Sequence, residues 1–306
     1  MATTVPMPVS NSLTLADKCI PRLDAVYKRE SLSAVLDTSN VEWSGVDTIK
    51  FYKFSTLGMA DYSRGGGFVA GDSSGSWESK QLTQDRGRSY LLDAVDNEEQ
   101  MGMLVASQLS ETLRTQIIPE IDAYTFAKLA GTAGILSGTP ATIVPGTTDV
   151  GKLISDAEAK MDNEEVPYEG RILFVSPDCY NALKANITRR IINSENNVNY
   201  NVEYFDDMRI IRVPASRFNT QITLAQPSAH NGAGGYSLSG NAINFMIVHP
   251  SAVIKVMKWQ SIRLFTPAQV PYADGYVFNA RLVYDTFAYD NKVKGIYLHA
   301  GLTVSG

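Results

Sequence analysis

Residues 81–130 read QLTQDRGRSY LLDAVDNEEQ MGMLVASQLS ETLRTQIIPE IDAYTFAKLA, and the first and second parts of this stretch follow different periodicities. The part ending at Asp93 continues an upstream run, SWESKQLTQDRGRSYLLD (76–93), that reads as a strand. The remainder opens like a helix. Asp96 is placed as N-cap, and Glu99, three residues on, completes a capping box. Glu98 and Glu99 fall in the first turn, where negative charge complements the helix dipole. The carboxylate cluster Asp93, Asp96, Glu98 and Glu99 is thereby accounted for without chemistry. Met101, Val105, Leu109, Leu113, Ile117 and Ile121 form an i,i+4 series, a stripe that drifts slowly around a helix. Pro119 removes a hydrogen bond and predicts a bend near Thr115. A helix continuous from Asp96 to Ala130 would be roughly 50 Å long at ~1.5 Å per residue.

Upstream, VDTIKFYKFSTL (46–57) is rich in β-branched and aromatic residues and reads as a strand. GMADYSRGGGFVAGDSSG (58–75) comes next as a glycine-rich flexible loop leading into the second strand. Two paired strands of about 12 residues would reach roughly 40 Å. A compact chain of this size has a radius of gyration near ~19 Å. So long a hairpin asks to be covered by something outside its own globule. Tyr52, Tyr62, Phe68, Trp77 and Tyr90 lie in or beside it. Aromatic residues anchor protein–protein contacts, and ordinary strand packing is the other reading of each. Residues 1–44 read as an irregular arm with a short helical piece, capped by Ser12 or Thr14 and carrying Leu23, Val26, Tyr27 and Leu32.

Downstream, GTAGILSGTPATIVPGTT (131–148) ends the helix with glycine and proline. Val150, Leu153, Ile154, Ala157 and Met161 mark an amphipathic helix, and RILFV (171–175) a short buried strand. Ser176 caps a further helix with Pro177 at its first position. AINFMIVH (242–249) is an apolar strand, and 251–265 and 281–299 read as long strands returning to the sheet beside the first helix.

Composition excludes several functions. The formal net charge is −5, and Arg189-Arg190 is the nearest approach to a basic block, so no clamp on nucleic acid is expected. Cys19 and Cys179 read as free thiols, and His230, His249 and His299 have no ligand spacing. The start, MATTVPMPVSNS, lacks the regions of a signal peptide, and no run reaches membrane-spanning length, so a soluble protein made in the cytoplasm is expected. Three short patterns imitate chemistry. Gly65-Gly66-Gly67-Phe68-Val69-Ala70 fits a dinucleotide fingerprint, but the next residues, GDSSGSWES (71–79), cannot open a helix well. Gly71-Asp72-Ser73-Ser74-Gly75 fits a nucleophile elbow but leads into a strand. Asn186-Ile187-Thr188 is a glycosylation sequon without a secretory context. No catalytic, cofactor or metal residues are expected.

The runs DRGRS (85–89), DNEE (96–99), IPEIDAYTFAKLA (118–130) and RLVYDTFAYDNKVKGIYLH (281–299) resemble the major capsid proteins of tailed double-stranded DNA phages with the HK97 fold. The resemblance implies an α+β, HK97-like capsid fold. It places an N-terminal arm at 1–44 and an extended β-hairpin, the E-loop, at 45–92, lying across a neighbouring subunit. A P-domain with a long spine helix and antiparallel sheet would occupy 93–147, an α/β A-domain 148–258, and P-domain return strands 259–306. Copies would assemble as pentamers and hexamers into an icosahedral shell enclosing double-stranded DNA. The shell would form as a procapsid in the host cytoplasm and persist in the virion. Partners implied are further copies, a separate scaffolding protein (the chain begins almost directly at the arm), a portal and decoration proteins, with no membrane.

Candidate inter-subunit contacts are Tyr62, Phe68, Trp77, Arg86 and Arg88, at least one of the two arginines pairing with a carboxylate, a neighbouring subunit's among the candidates. Candidate flexible points are Gly65, Gly66, Gly67 and Pro119. Some relatives crosslink subunits through lysine and asparagine. Lys53 and Lys80 lie on the hairpin strands with no lysine at the tip, and no crosslink is expected. The alternative is the shell of an encapsulin-type nanocompartment, which has the same fold and holds a cargo enzyme.

Overall fold

The computed structural model describes residues 31–38, 41–45, 47–71, 73–93, 111–191, 203–226, 232–270 and 274–302. A single 3-10 turn, Ala34–Leu36, precedes strands β1 (Glu42–Trp43), β2 (Thr48–Thr56), β3 (Ser73–Gln81) and β4 (Gln84–Asp93). A π-helical turn, Leu113–Ile117, runs into helix α1 (Ile118–Ala130). Next come β5 (Leu136–Ser137), α2 (Val150–Asn163), β6 (Ile172–Val175) and α3 (Pro177–Ile191). The chain continues through β7 (Tyr204–Phe205), β8 (Met208–Arg212), β9 (Asn219–Leu224), β10 (Tyr236–Val248), β11 (Val253–Phe265), β12 (Gly275–Ala288) and β13 (Ile296–Ala300).

The strands make three sheets. One is β1-β2-β3, one is β11-β12-β4, and the largest runs β5-β13-β10-β6-β8-β7 with β9 paired to the first half of β10. Alternation along β6 explains why the large sheet is covered on both faces. Leu173 and Val175 face α2 and α3, packing with Val150, Ile154, Met161 and Leu183. Ile172 and Phe174 face the other way, toward Phe126 and Leu129 of α1. All four β6 residues are buried, as a strand held between two layers must be. The ring of Phe126 meets those of Phe174 and Phe218 edge-on at 5.0 and 5.1 Å.

The helix geometry bears on the Pro119 expectation. Proline cannot donate to the Thr115 carbonyl, and its ring would crowd that carbonyl. The chain widens just upstream into the π turn, in which the Ile118 N–H reaches back to the Leu113 carbonyl. The disturbance expected near Thr115 thus takes the form of one wide turn. The proposed helix start, with Asp96, Glu99, Met101, Val105 and Leu109, lies outside the described residues.

Three expectations need correction. The second hairpin strand is not continuous to Asp93. It stops at Gln81, Leu82 buries against Ile49, Ile254, Val256 and Val283, and Thr83 donates to Asp285 through both its N–H and its hydroxyl, each at 2.8 Å. Beyond that anchor the chain leaves the hairpin sheet and β4 pairs with β12. The closing strands also divide. β12 lies beside β11 and β4, whereas β13 pairs with β10 and β5 in the large sheet. The boundary expected after Lys258 falls inside β11, whose residues pair with β12 on both sides of it.

Other local readings agree with the structure. Val150, Ile154, Ala157 and Met161 form the buried face of α2, which Asp149 caps by accepting from the Lys152 N–H at 3.1 Å. Ser176 caps α3 by accepting from the Cys179 N–H at 3.3 Å, with Pro177 as the first residue.

Candidate interaction surface

Strands β2 and β3 pair antiparallel from Thr48 opposite Gln81 to Thr56 opposite Ser73. Nine residues per strand carry the hairpin roughly 30 Å at ~3.3 Å each. Beyond Ile49 no described side chain of either strand is buried. Tyr52 and Phe54 on one strand share a face with Trp77 on the other, and all three are exposed. Tyr52 and Trp77 touch edge-to-face at 5.3 Å, and the Tyr52 ring lies where any Gly75 side chain would have to be. The tip is more exposed still: Met59 is 106%, Phe68 91% and Leu57 71% accessible. Its one local structure is a tight turn in which Ser63 and Gly67 bond to each other and Gly66 N–H donates to the Ser63 hydroxyl. Gly67 has φ +75°, a conformation that suits glycine. Val69 and Tyr62 complete the apolar tip, the ring of Tyr62 meeting that of Phe68 at 4.9 Å.

The root is fixed as firmly as the tip is free. Ile49 and Leu82 belong to a core with Ile254, Val256 and Val283, and Phe51 packs edge-on against Tyr289 at 5.2 Å. Asp290 lies 3.7 Å from Lys53 and 3.8 Å from Lys80, and Lys80 also pairs with Glu78 at 2.7 Å. The bond to Glu78 holds the Lys80 ammonium above its ordinary pKa.

Below the hairpin, α1 carries buried polar side chains that tie distant segments together. Arg86 donates to both carboxylate oxygens of Glu120, at 2.8 and 3.1 Å, and to the carbonyls of Ala225 and Gly235. Its guanidinium is therefore spent within its own subunit. Of the two arginines read from sequence, Arg86 makes the carboxylate pair, and makes it internally. Arg88 is exposed and donates to the Gly232 carbonyl at 3.0 Å. Asp122, with no exposed surface, accepts from the hydroxyls of Ser31 and Ser33, the N–H groups of Leu32 and Ser33, and Arg217 at 3.1 Å. Asp285 accepts from Tyr124, Thr83 and the Thr286 N–H. Burial pushes the Tyr124 hydroxyl up to about 12, and burial and the adjacent Glu120 raise that of Tyr284. Sequence reading missed this network because its members come together only through the fold.

Tyr62, Phe68 and Trp77 all stand on the open hairpin, whereas Tyr90 stacks on Phe278 over the sheet core. Among the described residues no group of His, Cys, Asp and Glu could hold a metal ion. Cys179 is buried, and burial pushes its thiol up to about 12, far from a reactive thiolate. His249 and His299 sit apart, the first at the β10–β11 turn and the second within β13. Cys19 and His230 lie outside the described residues. No described helix is long and apolar enough to cross a membrane.

No protein-family model and no curated protein matches the chain. Solved structures do. The capsid of cyanophage P-SCSP1u aligns with a TM-score of 0.58 at 16% identity, over 88% of this chain and 87% of that one. The mature capsid of bacteriophage PhiM1 gives 0.53 at 11%, over 85% and 83%. A virus-like particle from Pyrococcus furiosus gives 0.52 at 11%, over 92% and 98%. The chain has the fold of these shell subunits over most of its length.

Proposed function

We propose that this chain is the structural subunit of an icosahedral phage capsid, assembling with copies of itself around double-stranded DNA. The observation that carries the reading is the hairpin β2–β3, anchored at its root and apolar at its tip, on a fold shared with capsid subunits. A monomer gains nothing by holding Leu57, Met59, Phe68 and Trp77 in water. A neighbouring copy covering them turns that exposed apolar area into association energy. In this reading the hairpin is the E-loop, α1 with the π turn before it is the spine, and β11-β12-β4 is the P-domain sheet. The large sheet with α2 and α3 is the A-domain, whose far end meets its counterparts at pentamer and hexamer axes. Tyr62, Phe68 and Trp77 make contacts between subunits, and Arg88 is the arginine available to join them. Gly65, Gly66 and Gly67 and the turn at Pro119 let the subunit adapt to unequal positions in the shell. A scaffolding protein, a portal and decoration proteins complete the assembly, and the protein performs no catalysis.

Light scattering and sedimentation of the wild type beside a Phe68→Ala, Trp77→Ala double variant test this reading. The wild type is expected to form particles far larger than a monomer, and the variant to stay small with an unchanged thermal midpoint. Equal assembly of the two would remove the hairpin from the mechanism. A cargo enzyme co-purifying inside closed particles would favour the nanocompartment instead.

A further inference from the structure

We infer that His249 is a pH-sensitive latch: its neutral imidazole closes a junction of three segments beneath the hairpin root, and protonation in mild acid opens the junction and loosens the seat of the hairpin. The latch acts within a single subunit and adds a control to the hairpin of the shell reading above.

The two ring nitrogens have fixed roles. Nδ1 lies 3.2 Å from the Ser251 N–H, capping the 3-10 turn Pro250–Ala252, and 2.8 Å from the Ser251 hydroxyl. Nε2 lies 3.1 Å from the Glu169 carbonyl. A backbone N–H only donates and a carbonyl only accepts, so Nδ1 is the bare nitrogen and Nε2 carries the hydrogen. A second proton has only Nδ1 to occupy, where it would point at the Ser251 N–H. The hydroxyl can reverse its role but the amide cannot, and the cap is lost. The ring is partly exposed, so protons reach it. Burial foremost, with the charges of Arg171 and Lys292, holds its pKa below the ordinary 6.5, against the pull of the Glu169 carbonyl. The carboxylates of the adjoining segments are engaged elsewhere: Asp162 with Arg171, Glu164 with Lys294, and Glu169 with the Tyr168 hydroxyl. Glu165 stands exposed on the same loop.

Three segments meet at this ring. Nε2 holds the loop 163–170, and Nδ1 shapes the turn between β10 and β11. That turn is stitched to the segment 289–295. The His249 N–H donates to the Gly295 carbonyl at 2.8 Å, and the Tyr289 N–H donates to the Ala252 carbonyl at 3.0 Å. The two pack so closely that a Cβ on Gly295 would lie 2.7 Å from that of Ala252. The hairpin root rests on the same segment, through Tyr289 against Phe51 and Asp290 against Lys53 and Lys80. A change at the cap therefore passes through Ala252 and Tyr289 to the hairpin.

His249→Asn keeps a capping acceptor at this position and removes the titration. A folded-state pKa below the unfolded value gives stability that is present above pH 6.5 and lost as pH falls. The wild-type subunit is thus expected to lose more of its thermal midpoint than the variant between about pH 7.5 and about pH 5. The other titrating groups, His299 included, are common to both. Hydrogen exchange, corrected for the intrinsic effect of pH, is expected to speed up over that interval at 251–252, 289–292 and the hairpin root 49–53. The increase should be at least about tenfold larger in wild type than in the variant. Equal responses of the two proteins, or a wild-type increase confined to 251–252, would overturn the latch. NMR of the wild type alone gives a check that needs no variant. The His249 ring is expected to titrate below pH 6.5, with the hairpin-root amides shifting at the same midpoint, and a ring titrating at or above 6.5 would refute the latch. All of this is measured on the unassembled subunit, so failure of the latch leaves the shell reading standing, and a subunit that never assembles leaves the latch standing.

Discussion

At Asp122 an acidic side chain lies where no water reaches, and donors from Ser31, Leu32, Ser33 and Arg217 converge on it. Removing one partner of a buried ion pair strands the other, at a cost of about 3–5 kcal/mol. Asp122→Ala is accordingly expected to lower the unfolding free energy by that much in urea titrations and to release the segment around Ser31–Ser33. A loss under about 1 kcal/mol would show that the network is not a clasp. Glu158 supplies a pH signature. Burial first, then the charge of Asp206, raises its pKa to about 7 from an ordinary 4.5. A carboxyl raised in the folded state binds its proton more tightly there, so its contribution is present below pH 4.5 and is lost as pH climbs through 7. Because the group is half exposed, screening holds the effect to about 1 kcal/mol. Glu158→Gln is expected to raise the thermal midpoint at pH 8 and barely change it at pH 5. The same shift at both values would contradict this assignment. At this scale little was legible in the sequence. IPEIDAYTF stands out as a run, yet the partners of its Glu120, Asp122 and Tyr124 come from Arg86, Ser31, Ser33, Arg217 and Asp285. No periodicity encodes such pairings.

Among elements, the hairpin and the spine behave differently. The hairpin could be read because β-branched and aromatic runs flank a glycine-rich loop, but its end could not. The break at Leu82–Thr83 depends on a core and an Asp285 acceptor that lie far downstream, as the Thr83–Asp285 separation of 202 residues records. Its exposed apolar surface, from the Tyr52–Trp77 face to the tip, is expected to be silent in folding and decisive in assembly. Trp77→Ala should change unfolding free energy by less than about 0.5 kcal/mol, as exposed substitutions do, while raising the assembly concentration at least about tenfold. Calorimetry beside light scattering separates the two, and a matching loss in both would mean the residue serves the fold. Pro119 was legible as a disturbance because its missing donor is a local fact. The form taken, a π turn, could not be read, because it also keeps Leu113 packed with Phe278 and Ala280 and Ile118 with Leu282, contacts that only the fold brings together. Pro119→Ala restores the amide, and a crystal structure of that variant is expected to show an ordinary α-helical turn over 113–117. A π turn persisting there would assign it to packing, not to proline.

For the whole molecule, the sequence anticipates two helix-covered and strand-rich regions but not how they interlock. Phe126 and Leu129 of α1 share a core with Ile172 and Phe174 of β6, Val253 of β11 and Ile296 of β13. The region around the spine and the region around the large sheet are thus sewn together by the closing strand, whose partner only the fold reveals. Beyond its root the hairpin buries no described side chain, and the central claim is that other copies cover it. Cryo-electron microscopy of the assembled protein, at a resolution that traces side chains, tests this directly. The expected result is a closed shell in which Phe68 and Trp77 of every hairpin are buried against a neighbouring subunit. Shells whose hairpins project bare into solvent, or a protein that remains a monomer at every concentration and salt tried, would contradict it.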